Sequence, residues 1–163
     1  LRFGEQERVL RLIPGLEHAE FLRFGQVHRN TYVNAPALLN DCLQLRHRPE
    51  VFFAGQLCGV EGYVEAIGTG LMAGRHAAAL ASGLAPRPLP RATALGSLCH
   101  YISAADPRHY QPANMTFDLL PPLEEQTGRR LGRDRSTRQA EVCRRALAAL
   151  DSYIAGVPGV NCE

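Results

Sequence analysis

The sequence predicts an α/β fold: short strands and a strand-turn-helix unit in the first half, then a small, mainly helical region. Three observations carry that reading. The apolar run Val51, Phe52, Phe53, Ala54 meets a glycine-punctuated turn over residues 55–62, followed by an alanine- and glycine-rich stretch with helical spacing to Ser82. The run Ala85-Pro86-Arg87-Pro88-Leu89-Pro90 then breaks the chain as an extended linker. Beyond it, apolar residues recur at steps of three and four, the signature of amphipathic helices.

Taken in order, residues 5–13 read as a short amphipathic helix with Val9, Leu10 and Ile13 on one side, stopped by Pro14-Gly15. Residues 20–27 read as a strand in which Phe21, Leu22 and Phe24 carry the apolar weight. The stretch His28-Arg29-Asn30-Thr31-Tyr32-Val33-Asn34, ahead of Pro36, is either a surface loop with its own Asx-type turns or the wall of a ligand site. A helical turn over 37–40, an alternating strand over 42–45 and a turn over 46–49 lead into the Val51 strand.

In the central helix, Val64, Ile67, Leu71, Gly74, Ala78 and Ala81 give one apolar face, and Ala66, Gly70, Ala73 and Ala77 a neighbouring face of small side chains. Each interior glycine costs roughly 1 kcal/mol relative to alanine, so Gly68, Gly70 and Gly74 point to close approach of another backbone or a flat ligand. Gly83 is placed to cap that helix. Residues 95–103 form a helix with Leu95, Leu98 and Ile102 on one face, ended by Asp106-Pro107, and the three prolines of 110–123 make that segment an ordered loop. The last helix opens on Ser136 and Gln139, spaced as a capping box, and carries the stripe Cys143, Ala146, Leu147, Leu150, Tyr153, Ile154. The expected division is therefore 1–84, a connecting 85–94, and 95–163.

A strand ending in glycines that feed a helix start leaves unpaired N–H groups and partial positive charge beyond its end, which in a doubly wound sheet is where ligands bind. The same pattern also describes an ordinary βα unit with a small-residue packing helix. Between Gly128 and Arg145 seven arginines face Asp134 and Glu141, a local balance of seven minus two, or +5. Such a run is either a solvated face or a phosphate contact, to which the guanidinium fork is suited.

Composition bounds the classes. At 163 residues and 45% hydrophobic the chain is one domain's worth of foldable sequence, with a net charge of +2 and every one of its 18 basic residues arginine. No signal peptide or membrane-length apolar run is present, so a cytoplasmic protein is expected. Cys42, Cys58, Cys99, Cys143 and Cys162 are odd in number and lack CxxC or His/Cys ligand spacing, which predicts reduced, mostly buried thiols and no metal site. The chain opens on Leu1-Arg2-Phe3 and holds no GxGxxG phosphate loop, as expected of the C-terminal part of something longer.

The literal residues add a family. Phe53-Ala54-Gly55-Gln56, Gly59-Val60-Glu61-Gly62-Tyr63-Val64-Glu65 and Thr69-Gly70-Leu71-Met72-Ala73-Gly74 resemble the flavin-contacting segment of the folate- and FAD-dependent tRNA (uracil-5-)-methyltransferases, the TrmFO family. The His28 to Tyr32 stretch, Tyr110-Gln111-Pro112 and Leu119-Leu120-Pro121-Pro122 are similar to it too, whereas Ala113, Thr116 and Asp118 depart from its pattern and put a ligand role for that loop in doubt.

The resemblance implies the C-terminal part of a Rossmann-like FAD-binding domain followed by a helical region. It implies transfer of a one-carbon unit from 5,10-methylenetetrahydrofolate through FAD to C5 of a T-loop uridine in tRNA, with NAD(P)H as reductant. Gly55, Gln56, Gly59, Val60, Glu61, Gly62 and Tyr63 would then bind the flavin, His28, Arg29 and Asn30 the folate, and Arg129, Arg130, Arg133 and Arg135 the tRNA. No catalytic residue is assigned in this chain, because the family's cysteines are expected outside it. The related tRNA-uridine carboxymethylaminomethyl enzyme (MnmG) shares the flavin architecture, and a non-catalytic packing or RNA-binding module is the alternative for the piece alone.

Overall fold

The structure, a computed structural model, describes residues 2–25, 31–132 and 134–156. By contact the chain forms two compact units, Leu1–Asn30 and Thr31–Glu163. In the first, helix α1 (Phe3–Leu10) starts before the expected 5–13 and ends at its cap Arg11, short of the Pro14-Gly15 stop, so Ile13 falls outside it; Gly15, at φ +90°, turns the chain beyond. Phe3, Phe21 and Phe24 stack with ring centroids 5.8 Å apart. The strand expected over 20–27 is absent from residues 20–25, and Val27 lies outside the described residues. A strand exists only by pairing, and the Gly25 backbone is instead taken by Gln6, which donates to its carbonyl at 2.9 Å and accepts from its N–H at 3.1 Å.

The second unit begins with α2 (Ala35–Leu38), started by Pro36 in its first turn, where a missing N–H costs nothing. A two-stranded antiparallel hairpin follows, β1 (Gln44–Leu45) and β2 (Arg48–Phe52), with Gln44 opposite Phe52 and Leu45 opposite Arg48. The strand predicted over 42–45 is shortened because Leu43 adopts φ +61° and Asn40 Oδ1 accepts from the N–H groups of Cys42 and Gln44, an Asx turn in place of extended chain. What was expected to be the closing strands of a larger sheet is, within the described residues, this hairpin and single bridges.

After a 3₁₀ turn (Gly55–Cys58), helix α3 (Tyr63–Ala81) runs to a Schellman close: Gly83, φ +74°, donates to Leu80 O, and Leu84 N–H reaches Ala79 O. Its buried residues are Thr69, Met72, Ala73 and His76. The apolar face read from the sequence, Val64, Ile67 and Leu71, points outward. The side that packs instead carries Thr69, Met72, Ala73 and His76, while Gly70 of the small-residue face is exposed; Gly68 lets the next helix come close, since a Cβ there would sit 2.8 Å from Leu95 Cδ1. That next helix, α4 (Ala94–Ala104), is capped by Thr93, whose Oγ1 accepts from Gly96 N–H at 3.1 Å, and buries Leu98, Cys99 and Ile102. With Ala35, Leu39, Leu43, Cys58, Val60, Ala73 and Tyr110 these form one core cluster.

Residues 110–123 are loop with a 3₁₀ turn (Phe117–Leu119), as their prolines require. A short helix α5 (Glu125–Arg130), not expected from the sequence, precedes α6 (Arg135–Ala155). The cap of α6 is Asp134, accepting from Thr137 N–H at 2.7 Å, and not Ser136; aspartate caps as well as serine does, and its position starts the helix earlier. Of the predicted stripe, Tyr153 is buried while Cys143 and Leu147 are exposed. Buried His76 ties α3 to two neighbouring segments, its Nδ1 2.9 Å from Cys42 O and its Nε2 3.0 Å from Arg87 O. Arg87 O also accepts from Tyr153 Oη at 2.8 Å, which seats the end of α6.

Candidate functional site

Building the turn at 55–65 from its backbone shows which groups are spent and which are open. Gly55, at φ +61°, donates to Thr69 Oγ1 at 3.1 Å, and Thr69 returns its hydroxyl to Glu65 O at 2.8 Å. Gly59 N–H reaches Gln56 O, Val60 N–H reaches Gly55 O, and Glu61 N–H reaches Ala113 O at 3.2 Å. In return Ala113 N–H donates to Gly59 O at 2.9 Å, making a parallel bridge between Val60 and Ala113. Gly59 and Val60 are buried, so of the seven residues predicted to meet a flavin these two support the turn from within.

The open groups lie at the start of α3. Gly62 is the N-cap and brings no side chain to the orphan N–H groups of the first turn, where the helix dipole adds partial positive charge. Gln56 is exposed, and Tyr63 is 84% exposed beside Val64 at 78%, Ile67 at 74% and Leu71 at 65%. At Gly70 and Gly74 an added Cβ would meet nothing within 4 Å. This is an open apolar face ending in backbone donors, which suits a planar ring with an electron-rich edge. One group already answers part of the charge there. The Glu65 carboxylate folds back over Gly62, where a Cβ would sit 2.8 Å from Oε1 and nearer Oε2, and Oε1 accepts from Met115 N–H at 3.2 Å.

Tyr110 is the residue that sequence reasoning missed. Its hydroxyl donates to Cys58 O at 2.6 Å, its ring packs against Tyr32 and Tyr101, and burial pushes its phenol above the ordinary range. The signal available was the Tyr110-Gln111-Pro112 similarity, which carries no hint of what the ring touches. His28, Arg29 and Asn30 lie outside the described residues. Val33, just beyond them, donates to Leu57 O at 2.9 Å and so joins the following backbone to the turn.

The arginines divide in two. Arg129 pairs with Glu125, Arg138 donates to Gly132 O at 3.3 Å, and Arg145 donates to Pro122 O at 2.8 Å and to Pro121 O. Arg144 grips Glu141 with two hydrogen bonds, at 2.8 and 2.6 Å, and holds that carboxyl below its ordinary range, with Arg130 and Arg145 adding to the effect. Arg130 and Arg135 are exposed and carry no ion pair among the described residues, while Arg133 lies outside them. A cleft of about 590 Å³ beside them is lined by Leu123, Glu125, Gly128, Arg129, Gly132 and Arg138.

Cys42, Cys58 and Cys99 are free and buried, and Cys143 is free and exposed; Cys162 lies outside the described residues. Burial raises the thiols of Cys42 and Cys58 to about 11 and that of Cys99 to about 12, which makes them poor nucleophiles. Among the described residues no group of three or more His, Cys, Asp or Glu side chains is placed to hold a metal ion. No described helix is long and apolar enough to cross a membrane.

Residues 1–85, which include the turn and all of α3, match the family described as glucose inhibited division protein A. The chain belongs to that family. Among its relatives, this family member is 71% identical over 153 residues to the methylenetetrahydrofolate–tRNA-(uracil-5-)-methyltransferase TrmFO of Solibacter usitatus, a match covering 94% of this chain and 34% of that protein. The proteins of the same name from Koribacter versatilis and Pelotomaculum thermopropionicum are 56% and 53% identical, over 95% and 94% of this chain and 35% and 34% of theirs. The resemblance read from the His28 and Gly59 segments thus points to the same name these relatives carry. The chain spans about a third of the length of those relatives. A solved structure, GidA of Aquifex aeolicus, aligns with 22% identity and a TM-score of 0.42 over 71% of this chain and 17% of that one.

Proposed function

We propose that these residues belong to a cytoplasmic, FAD- and folate-dependent tRNA (uracil-5-)-methyltransferase, as the C-terminal part of a longer polypeptide. The observation that carries the reading is 71% identity, over nearly the whole chain, to a protein with that name. Within it, residues 1–84 close a Rossmann-like FAD and folate domain, 85–94 connect, and 95–163 form a helical region that faces tRNA.

On this reading Gly62 and the first-turn N–H groups of α3 hold the O2 and N1 edge of the flavin, and Tyr63 and Gln56 flank it. The flavin, when bound, supplies the one-carbon and electron transfer between methylenetetrahydrofolate and uridine C5, with NAD(P)H as reductant. What the chain contributes is position and field. The donors at the start of α3 stabilise negative charge at a place set by Gly55, Gly59 and the Ala113 bridge, and the exposed apolar face around Val64 and Ile67 offers a surface for the ring to cover. His28, Arg29 and Asn30 receive the folate, with the His28 ring as a stacking surface. Arg130 and Arg135, free of ion pairs among the described residues, reach tRNA phosphates with Arg129 and Arg133. The MnmG-like alternative rests on the family description alone and is the second reading.

The test uses the full-length polypeptide that carries these residues. It should purify yellow and move label from methylenetetrahydrofolate to the T-loop uridine of an unmodified tRNA transcript. A flavin-bound protein that leaves the T-loop unlabelled and modifies an anticodon uridine would replace this reading with the second one.

A further inference from the structure

We propose that Tyr110 is a positioning residue for the ligand turn, acting through Gly59; the proposal rests on the flavin reading of that turn. Three contacts define it. The ring fills the space that a side chain at residue 59 would need: a Cβ there would lie 2.9 Å from Tyr110 Cζ and closer still to the hydroxyl oxygen. The hydroxyl holds Cys58 O at 2.6 Å, and three residues on, Ala113 exchanges hydrogen bonds with Gly59 O and Glu61 N–H at 2.9 and 3.2 Å. The segment 110–115 therefore runs behind the whole turn from Cys58 to Glu65, ending with Met115 N–H on the Glu65 carboxylate at 3.2 Å.

The ring also joins the turn to a second segment. Tyr32 meets Tyr110 edge-on, with centroids 6.1 Å apart and planes at 71°, and its neighbour Val33 donates to Leu57 O. Tyr101 supports the other side at 5.6 Å, with its own hydroxyl on Gln111 O at 2.8 Å. One buried ring thus fixes the height of the residues just ahead of α3 against the backbone that follows the His28 to Asn30 stretch. Tyr110 meets the turn at Cys58 O and under Gly59, where backbone and not a side chain faces it. Its effect on a ligand passes through Gly59, Val60 and Glu61, whose backbone leads into Gly62.

The experiment compares Tyr110→Leu and Tyr110→Phe with the wild type in the full-length polypeptide, with Leu98→Ala as a core control of a residue outside the turn. Tyr110→Leu keeps apolar bulk but empties the space under Gly59. It should weaken flavin affinity by about tenfold or more and shift the flavin absorption band, since displacements near 1 Å cost roughly that and beyond. Tyr110→Phe keeps the ring and should stay within about threefold. Leu98→Ala should lower the melting temperature without moving the band. Equal losses of affinity from Tyr110→Leu and Leu98→Ala, with the band unmoved in both, would reduce Tyr110 to core filling and overturn the proposal. Amide exchange provides an arm independent of flavin: in Tyr110→Leu, Glu61 and Ala113 should exchange at least about tenfold faster relative to the α4 amides. Unchanged protection there overturns the positioning role even if flavin binds, whereas a colourless wild type with selective loss of protection sinks the flavin reading and leaves the positioning role standing.

Discussion

Gly59 and Gly62 sit three residues apart in one turn, and the structure assigns them opposite tolerances to a single methyl group. Gly59 has φ +87°, a left-handed value that costs an L-residue roughly 1–2 kcal/mol. Its Cβ would also meet the buried Tyr110 ring at 2.9 Å, and forcing a packed side chain aside costs about 1–3 kcal/mol more. Gly59→Ala is therefore expected to destabilise the chain by about 2–5 kcal/mol. Gly62 has φ −72° and ψ 136°, an ordinary extended conformation. The obstacle to its Cβ is the flexible Glu65 carboxylate, which can swing away at the loss of one hydrogen bond to Met115 N–H, about 0.5–1.5 kcal/mol. Reduced freedom of the unfolded chain returns about 0.4–1 kcal/mol, so Gly62→Ala should lie within about 1 kcal/mol of wild type. Urea unfolding followed by far-ultraviolet circular dichroism separates the two: with a slope of about 1–3 kcal/mol/M, Gly59→Ala should move the midpoint by about 0.7 M or more and Gly62→Ala by no more than about half as much at the same slope. Equal midpoints, or a larger loss at Gly62, would refute the geometry argued for this turn.

Replacing Arg130 and Arg135 together with glutamine should weaken tRNA binding and make the slope of log affinity against log salt shallower by about two, whereas Arg144→Gln, already gripped by Glu141, should change it less; parallel slopes for all the variants would return these arginines to a solvated face. The outward face of Tyr63, Val64, Ile67 and Leu71 should make the isolated 163-residue chain associate on gel filtration, and Ile67→Glu with Leu71→Glu should restore a monomer without lowering the urea midpoint. A monodisperse wild-type chain would count against that. The buried thiols supply a pH effect with a definite sign. Folding holds Cys42 and Cys58 protonated up to about 11 and Cys99 up to about 12, above the values of exposed thiols, so their contribution is complete below about pH 8.5 and is lost as pH rises towards 11–12. Iodoacetamide at pH 8 should accordingly label exposed Cys143 first and leave those three unmodified until urea is added; early labelling of Cys99 would contradict its burial.

Local chemistry was enough to set much of this chain in advance. The cap at Gly83, the helix over residues 94–104 and the strand-turn-helix order through Gly62 are decided by residues within a few positions of each other, so their signals are present in any short window. Val64, Ile67 and Leu71 were legible as one apolar face, and it lies outward. Their spacing states that they form a face, but the face that packs in this unit is chosen by Gly68, which admits Leu95, and by Thr69, which ties the helix to Gly55. The missing strand at 20–25 failed because strand propensity is realised only where a second segment pairs, whereas the one at 44–45 is paired but cut short by the Asn40 turn and the positive φ of Leu43. The candidate site divides along that line too. Its glycines and helix start could be read from the residues themselves, whereas the ring that holds them comes from Tyr110, 52 positions away from its carbonyl partner at Cys58. The order of residues placed the donors; packing selected which of them are spent on Ala113 and Thr69 and which are left open, because hydrogen-bond satisfaction in a buried turn depends on what the rest of the chain brings against it.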